Sequence, residues 1–228
     1  MLIQIPQVLN PEQVRRIRGT LLATESAWVD GRVTAGHQGM QVKRNQQIAE
    51  DSSVAHELGD MVLAALEKNP LFISAALPNR VYPPMFNRYG ENMQFGSHVD
   101  GAVRLIPGTG IKFRTDISAT LFLAEPDNYD GGELMVEDTY GMHAVKLNAG
   151  DMILYPASSV HQVTPITRGE RLASFFWIQS LVRDDAQRTL LFDMDRSIQH
   201  LALTGADEAA RIQLTGCYHN LLRMWTDV

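Results

Sequence analysis

Between Val81 and Leu181 the chain breaks into short β-like runs separated by Gly, Pro, Asn and Asp. That texture reads as an antiparallel sandwich or barrel. Strands are expected near 81–88, 97–100, 115–123, 133–137, 143–147, 152–155, 161–166 and 171–180. Eight strands suit a double-stranded β-helix, that is, a jelly roll. Asp127-Asn128-Tyr129-Asp130-Gly131-Gly132 reads as a tight connection whose glycines take backbone angles that other residues resist.

The flanks have helical texture, so the fold class is α+β. Asn10-Pro11-Glu12 starts a helix: Asn caps, Pro fits the first turn, and Glu suits the positive end. Val14, Ile17, Leu21 and Leu22 follow at helical spacing. A second helix begins near Ser53, with Val54, Leu58, Met61, Val62 and Leu66 on one face, and Asn69-Pro70 is expected to end it. These helices are expected to pack outside the sheet core. The run Lys43 to Gln47 is polar and is expected to be a solvated edge. After Ser180 come two further apolar stripes. One holds Leu190, Leu191, Met194 and Ile198; the other holds Ile212, Leu214, Leu221 and Leu222. This pair would cover the barrel or form a dimer interface. The expected organisation is a helical support region (1–79), a jelly-roll core (80–181) and a C-terminal helical region (182–228), packed as one compact unit.

Composition excludes some classes of function. Acidic residues outnumber basic ones, 26 to 20, giving a net charge of −6. A non-specific nucleic-acid surface should be basic, so no nucleic-acid partner is expected. Cys217 is the single cysteine. It cannot form an internal disulfide, which fits a reducing compartment, and it is expected to be a buried, apolar-like thiol. No window is long and apolar enough to span a bilayer, and Met1 to Pro6 carries no signal-peptide pattern. A soluble, cytoplasmic protein is expected.

Chemistry concentrates in Phe95-Gly96-Ser97-His98-Val99-Asp100-Gly101. In a strand, side chains two apart share a face, so His98 and Asp100 would point together. An imidazole and a carboxylate on one face are two of the three ligands of a facial triad for non-haem Fe(II). The third ligand must be another His. His161 is the candidate, because Arg171 follows ten positions later on the next strand. A site that binds iron and an anionic cosubstrate together needs such a cation. His37, His56, His143, His200 and His219 have no comparable context and are expected on the surface or in packing. Asp151, after Gly150, reads as structural, and Phe175 and Trp177 as barrel filling. The stretch 101–114 is long for a hairpin connection and reads as a substrate lid or a passive loop. Its Arg104, Lys112 and Arg114 hint at an anionic substrate group, or are simply solvated.

Six pieces recur in a fixed order. They are His98-x-Asp100, Asp130-Gly131-Gly132-Glu133-Leu134, Gly150-Asp151, His161 with Pro165, Gly169-x-Arg171, and Phe175-Phe176-Trp177. Together they resemble the catalytic core of 2-oxoglutarate/Fe(II)-dependent dioxygenases, more narrowly the prolyl 4-hydroxylase-like branch. Length and flanks resemble the bacterial PKHD-type hydroxylases, a group linked to iron uptake. The resemblance implies Fe(II) on His98, Asp100 and His161, with 2-oxoglutarate and O2 as cosubstrates and L-ascorbate keeping the iron reduced. It implies hydroxylation of an unactivated C–H bond in a small-molecule, amino-acid or peptidyl substrate. Arg171 would hold the distal carboxylate of 2-oxoglutarate, since the Gly-x-Arg spacing selects it over Arg168. Tyr89 or Ser174 would add a hydroxyl. Two other classes stay open on the residues alone: a cupin-like divalent-metal enzyme without 2-oxoglutarate, and a non-enzymatic iron- or ligand-binding module.

Overall fold

The computed structural model describes residues 1–205 and 207–227, with Ser26 described by its backbone only. Two antiparallel sheets face each other. The larger runs in the order Ile3–Ile5, Met152–Pro156, Ile117–Phe122, Arg171–Ser180, Met85–Tyr89, Gln46–Ile48, Trp28–Asp30, with Pro78–Val81 also pairing the long Arg171–Ser180 strand. The smaller runs Gly141–Val145, Leu134–Asp138, His161–Val163, Gln94–His98, Lys43–Arg44. Short pairs, Tyr129–Gly131 with Ile166–Gly169 and Val103–Leu105 with Lys112–Arg114, close two corners. This is the expected α+β jelly roll.

The larger sheet is buried on both faces, and its strands show why. Ile117–Phe122 has no exposed residue at all. Alternation sends Ala119 and Leu121 outward. There they join Leu172, Phe176 and Ile178 in one apolar cluster with Ile17, Leu21, Leu58, Val62, Leu66 and Phe72 of the helices. Ser118 and Thr120 face the other sheet, opposite Trp177 and Phe175. Here the inner face is polar and aromatic, the outer face apolar.

The helices follow their caps. Asn10 and Gln13 form a reciprocal capping box for Pro11–Ala23. Ser52 caps Ser53–Leu66. That helix ends before Asn69, and Asn69-Pro70 starts another: the Asn69 side chain accepts from the Phe72 N–H at 3.0 Å, opening Pro70–Ala76. Pro at the first helical position, with Asn before it, is a start signal as much as a stop. At the Tyr129–Gly131 corner, Gly131 and Gly132 have φ of +74° and +68°. A Cβ on Gly131 would overlap the Pro165 carbonyl oxygen.

Two expectations fail. The 43–47 run is not a solvated edge. Lys43 pairs with Phe95 in the small sheet, and Gln47 pairs with Asn87 in the large one. The segment therefore bridges the sheets, and alternation turns Lys43, Asn45 and Gln47 inward, with exposures of 4%, 5% and 0%. Cys217 is exposed. It lies on Glu208–Trp225, which packs through Tyr218, Leu221, Leu222 and Trp225 on Leu77, Val182 and Leu191. Among the described residues no helix is long and apolar enough to cross a membrane.

Candidate active site

His98 and His161 face each other across neighbouring strands of the small sheet. The strand expected over 97–100 in fact covers Gln94–His98. Asp100 lies just beyond its end, so backbone direction, not strand alternation, returns its carboxylate to the same side. One ligand atom from each of His98, Asp100 and His161 lies within 4.8 Å of the others. His98 Nε2 is 4.0 Å from Asp100 Oδ1, and His161 Nε2 is 3.8 Å from Asp100 Oδ2.

The surroundings fix which atoms converge. His98 Nδ1 sits 2.8 Å from the Gly96 carbonyl oxygen, and His161 Nδ1 sits 3.0 Å from that of Ser159. A carbonyl only accepts, so each Nδ1 carries the proton and each Nε2 turns a lone pair toward Asp100. Burial, and then the neighbouring His161 ring, hold the His98 imidazole down to about 4, neutral at physiological pH. Two imidazole lone pairs and a carboxylate converging on one point repel unless a cation lies between them. Two nitrogens and one carboxylate oxygen suit ferrous iron and leave coordination positions free. Asp100 Oδ2 also accepts from Ser118 Oγ at 2.6 Å and from Trp177 Nε1 at 2.9 Å. These two donors set the carboxylate plane. Phe95 stacks on His98, ring centroids 3.5 Å apart.

The triad opens into a cavity of about 740 Å³ between the sheets. Arg171 lines it, 1% exposed, from the start of the long strand. It pairs with Tyr89, so both side chains face inward. Its guanidinium carbon lies 5.5 Å from the Tyr89 ring centroid and 5.2 Å from that of Phe122. Among the described residues its Nε has no hydrogen-bond partner. Gln47 Nε2 and Asn87 Oδ1, also on the cavity wall, are equally unpartnered. Buried donors and acceptors left without partners cost free energy unless a polar ligand meets them. A dicarboxylate reaching Arg171 fits the two vacant donors, Arg171 Nε and Gln47 Nε2. Burial raises the Tyr89 hydroxyl to about 12, keeping it a donor.

Other expected residues sort clearly. Arg168 is exposed and pairs with Asp130 at 2.7 Å, away from the cavity. Ser174 alternates onto the face opposite Arg171, beside Phe86, and lines no part of the cavity. Asp151 accepts from the Gln7 N–H at 2.8 Å and is structural. His56, His200 and His219 are exposed. His37, expected to be a bystander, lines the cavity mouth. Phe175 and Trp177 line the cavity instead of merely filling the barrel. The 101–114 stretch is a β-hairpin, and its Val103, Arg104 and Leu105 form part of the cavity wall. Lys43, Gln47 and Asn87 went unassigned in the sequence. The period-two spacing of Lys43, Asn45 and Gln47 was the available signal, but polar side chains at that period read as the solvent face.

Residues 84–179 match the 2OG-Fe(II) oxygenase superfamily, and residues 185–227 match the PKHD-type hydroxylase C-terminal domain. A PKHD-type hydroxylase of Burkholderia ambifaria (strain MC40-6) is 68% identical over 227 residues, covering 100% of both chains. Among solved structures, a Pseudomonas putida prolyl-4-hydroxylase aligns with a TM-score of 0.54 at 20% identity, covering 78% of this chain and 92% of that one. The non-heme alpha ketoglutarate dependent carbocyclase SnoK from nogalamycin biosynthesis aligns at 0.56 and 16% identity, covering 79% and 80%. Those two likenesses are of fold. Full-length identity to the Burkholderia protein decides against the cupin-like and non-enzymatic readings: this chain belongs to the PKHD-type hydroxylases, enzymes of the Fe(II)/2-oxoglutarate oxygenase superfamily.

Proposed function

We propose that His98, Asp100 and His161 hold Fe(II), that Arg171 and Tyr89 hold the distal carboxylate of 2-oxoglutarate, and that the enzyme hydroxylates an unactivated C–H bond. One observation carries this: two imidazoles and one carboxylate converging on one point, and a buried arginine whose Nε has no partner among the described residues, share one cavity. Iron with its cosubstrate supplies the dioxygen chemistry, in which one oxygen atom enters the substrate C–H bond and the other enters succinate, with release of carbon dioxide.

The chain's own groups do the rest. Gly96 and Ser159 carbonyls fix the two imidazole tautomers. Ser118 and Trp177 hold the Asp100 carboxylate, so its orientation does not depend on the metal. Arg171 offers two parallel N–H donors to a carboxylate and stays charged when buried. Tyr89 takes the hydroxyl role, since Ser174 faces away. Phe175, Trp177 and Phe95 exclude water around the metal side of the cavity. The Val103–Leu105 strand closes the mouth, which fits a lid better than a passive loop. In this division 80–181 is the catalytic core and 182–228 a cover, while 1–79 also contributes cavity wall through Lys43 and Gln47.

The substrate is a small molecule or an amino-acid or peptidyl side chain, and a place in iron uptake follows from the family resemblance. L-ascorbate serves to reduce iron oxidised in uncoupled turnover. A cytoplasmic location fits the single thiol. Leu203, Ile212 and Met224 of the two C-terminal helices, exposed at 87%, 63% and 75%, are apolar side chains free for self-association; sedimentation showing only monomer at high concentration would remove that part. The central test is succinate formation by the purified protein with Fe(II), ascorbate and 2-oxoglutarate. His98→Ala must abolish it; undiminished turnover in that variant would refute the site.

A further inference from the structure

Two cations stand in the cavity with no role in holding iron or 2-oxoglutarate. Lys43 is 4% exposed, yet among the described residues its Nζ makes a single hydrogen bond, to Thr34 Oγ1 at 3.2 Å. It lies 4.9 Å from the Phe95 ring centroid and 5.7 Å from that of Phe175. No carboxylate comes within ion-pair distance of it among the described residues. Arg104 enters from the hairpin. Its guanidinium carbon is 4.3 Å from the Trp177 ring and 5.1 Å from the Tyr82 ring, and its Nε is buried without a partner. Phe175 and Trp177 lie two apart on one strand, with centroids 5.8 Å apart. Lys43 and Arg104 therefore stand over adjacent rings of the same wall.

The other cations of the hairpin do not compete. Arg114 is tied to Asp116 at 2.7 Å and to Asp227 at 3.3 Å, and Lys112 is exposed. The pair contacts Phe175 and Trp177, on the side of the triad, since Trp177 donates to Asp100. The ring contacts of Arg171 are Tyr89 and Phe122, so Arg171 stands against a different part of the wall.

Charge decides what this second site takes. Ferrous iron and Arg171 cancel Asp100 and dianionic 2-oxoglutarate. Glu50, which also lines the cavity and lies 3.3 Å from the Tyr82 hydroxyl, offsets one of the two remaining cations. One positive charge is left over beside aromatic walls. A buried, uncompensated cation is costly unless a ligand neutralises it.

We propose that Lys43 and Arg104 form the substrate-anchoring subsite and that the natural substrate carries a single carboxylate, held there with its reacting carbon toward the metal. This rests on the iron and 2-oxoglutarate assignment above. The partner chemistry is that of a free amino acid, a peptide C-terminus or a carboxylate-bearing iron chelator; all three present the same group.

The test needs no turnover. The protein is loaded with Zn(II) and N-oxalylglycine, which occupy the metal and cosubstrate positions. Matched pairs of small carboxylic acids and their primary amides are then screened by ligand-observed NMR. Acids are expected to bind at least tenfold more tightly than their amides, with the preference lost in Lys43→Met and Arg104→Met and retained in Lys43→Arg. N-oxalylglycine affinity should stay within a fewfold of wild type in all three. Acids and amides binding alike, or an acid preference surviving both Met variants, would overturn the subsite alone. Failure of wild-type protein to bind N-oxalylglycine would overturn the cosubstrate assignment and this subsite with it.

Discussion

Arg171→Met separates a ligand-holding arginine from a structural one. In the free protein the Arg171 side chain is buried, and its Nε lacks a partner. Its visible support is cation–π contact with Tyr89 and Phe122, worth about 0.5–2 kcal/mol. Against this stands the desolvation of a buried cation, several kcal/mol in general. Met is similar in length and apolar, so the ligand-free variant should be as stable as wild type, or more so. Ligand binding should behave oppositely. Two charge-assisted hydrogen bonds at roughly 1.5–3 kcal/mol each would be lost, about 3–6 kcal/mol in all. At about 1.4 kcal/mol per tenfold, 2-oxoglutarate affinity should fall roughly 10²- to 10⁴-fold. Ligand at a hundred times its Kd stabilises the native state by about 2.7 kcal/mol. For a domain of this size, that raises Tm by roughly 5–10 °C. Thermal melts of the Zn(II) protein with and without 2-oxoglutarate should show the rise in wild type and none in Arg171→Met. A variant whose ligand-free Tm drops by some 8 °C while its response to 2-oxoglutarate persists would refute the reasoning. Arg171 would then be a structural residue.

Trp177→Phe keeps the ring but removes the N–H that Asp100 accepts. Metal affinity should fall roughly 10- to 100-fold, as for other orienting groups around metal ligands; a competition titration with a chromophoric chelator giving wild-type affinity would discount the contact. Gly131→Ala forces a Cβ into the Pro165 carbonyl at a φ of +74°. Urea unfolding should show a loss above about 2 kcal/mol, beyond the 1–2 kcal/mol of the left-handed backbone alone; a neutral result would mean the corner can shift. Burial, and then the charge of Arg104, hold the Lys43 ammonium down to about 8, against the pull of Asp100, Asp30 and Glu50. A lowered lysine means that the unfolded chain binds the extra proton more tightly. Stability of the metal-free protein should therefore rise as pH climbs from about 8 toward the ordinary lysine value near 10.5. Denaturant midpoints across that range should rise in wild type and stay flat in Lys43→Met; equal slopes would place the charge elsewhere.

Local signals were the readable part of this chain. Helix starts at Asn10 and Ser52, the glycine corner at Gly131, and the long Arg171–Ser180 strand all stand where short-range chemistry puts them. The Asn69-Pro70 pair was ambiguous, because the same two residues mark the end of one helix and the start of the next. Cys217 could not be placed from its own helix, since burial there depends on whether another layer covers that face of Glu208–Trp225, and among the described residues none covers Cys217.

The sequence by itself determined the strand-and-turn texture and the candidate ligands His98, Asp100 and His161, and its resemblance to the family's Gly-x-Arg pattern pointed to Arg171 over Arg168. Those are properties of residue type, order and short separation. Only the tertiary structure decided that Lys43, Asn45 and Gln47 point inward, that Arg104 and not Lys112 or Arg114 enters the cavity, and that Ser174 turns away from it. A strand has two faces with the same period, and nothing in a polar alternation says which face meets water. That choice is made when the second sheet closes over the first, by partners that lie 40 to 61 residues apart in the chain.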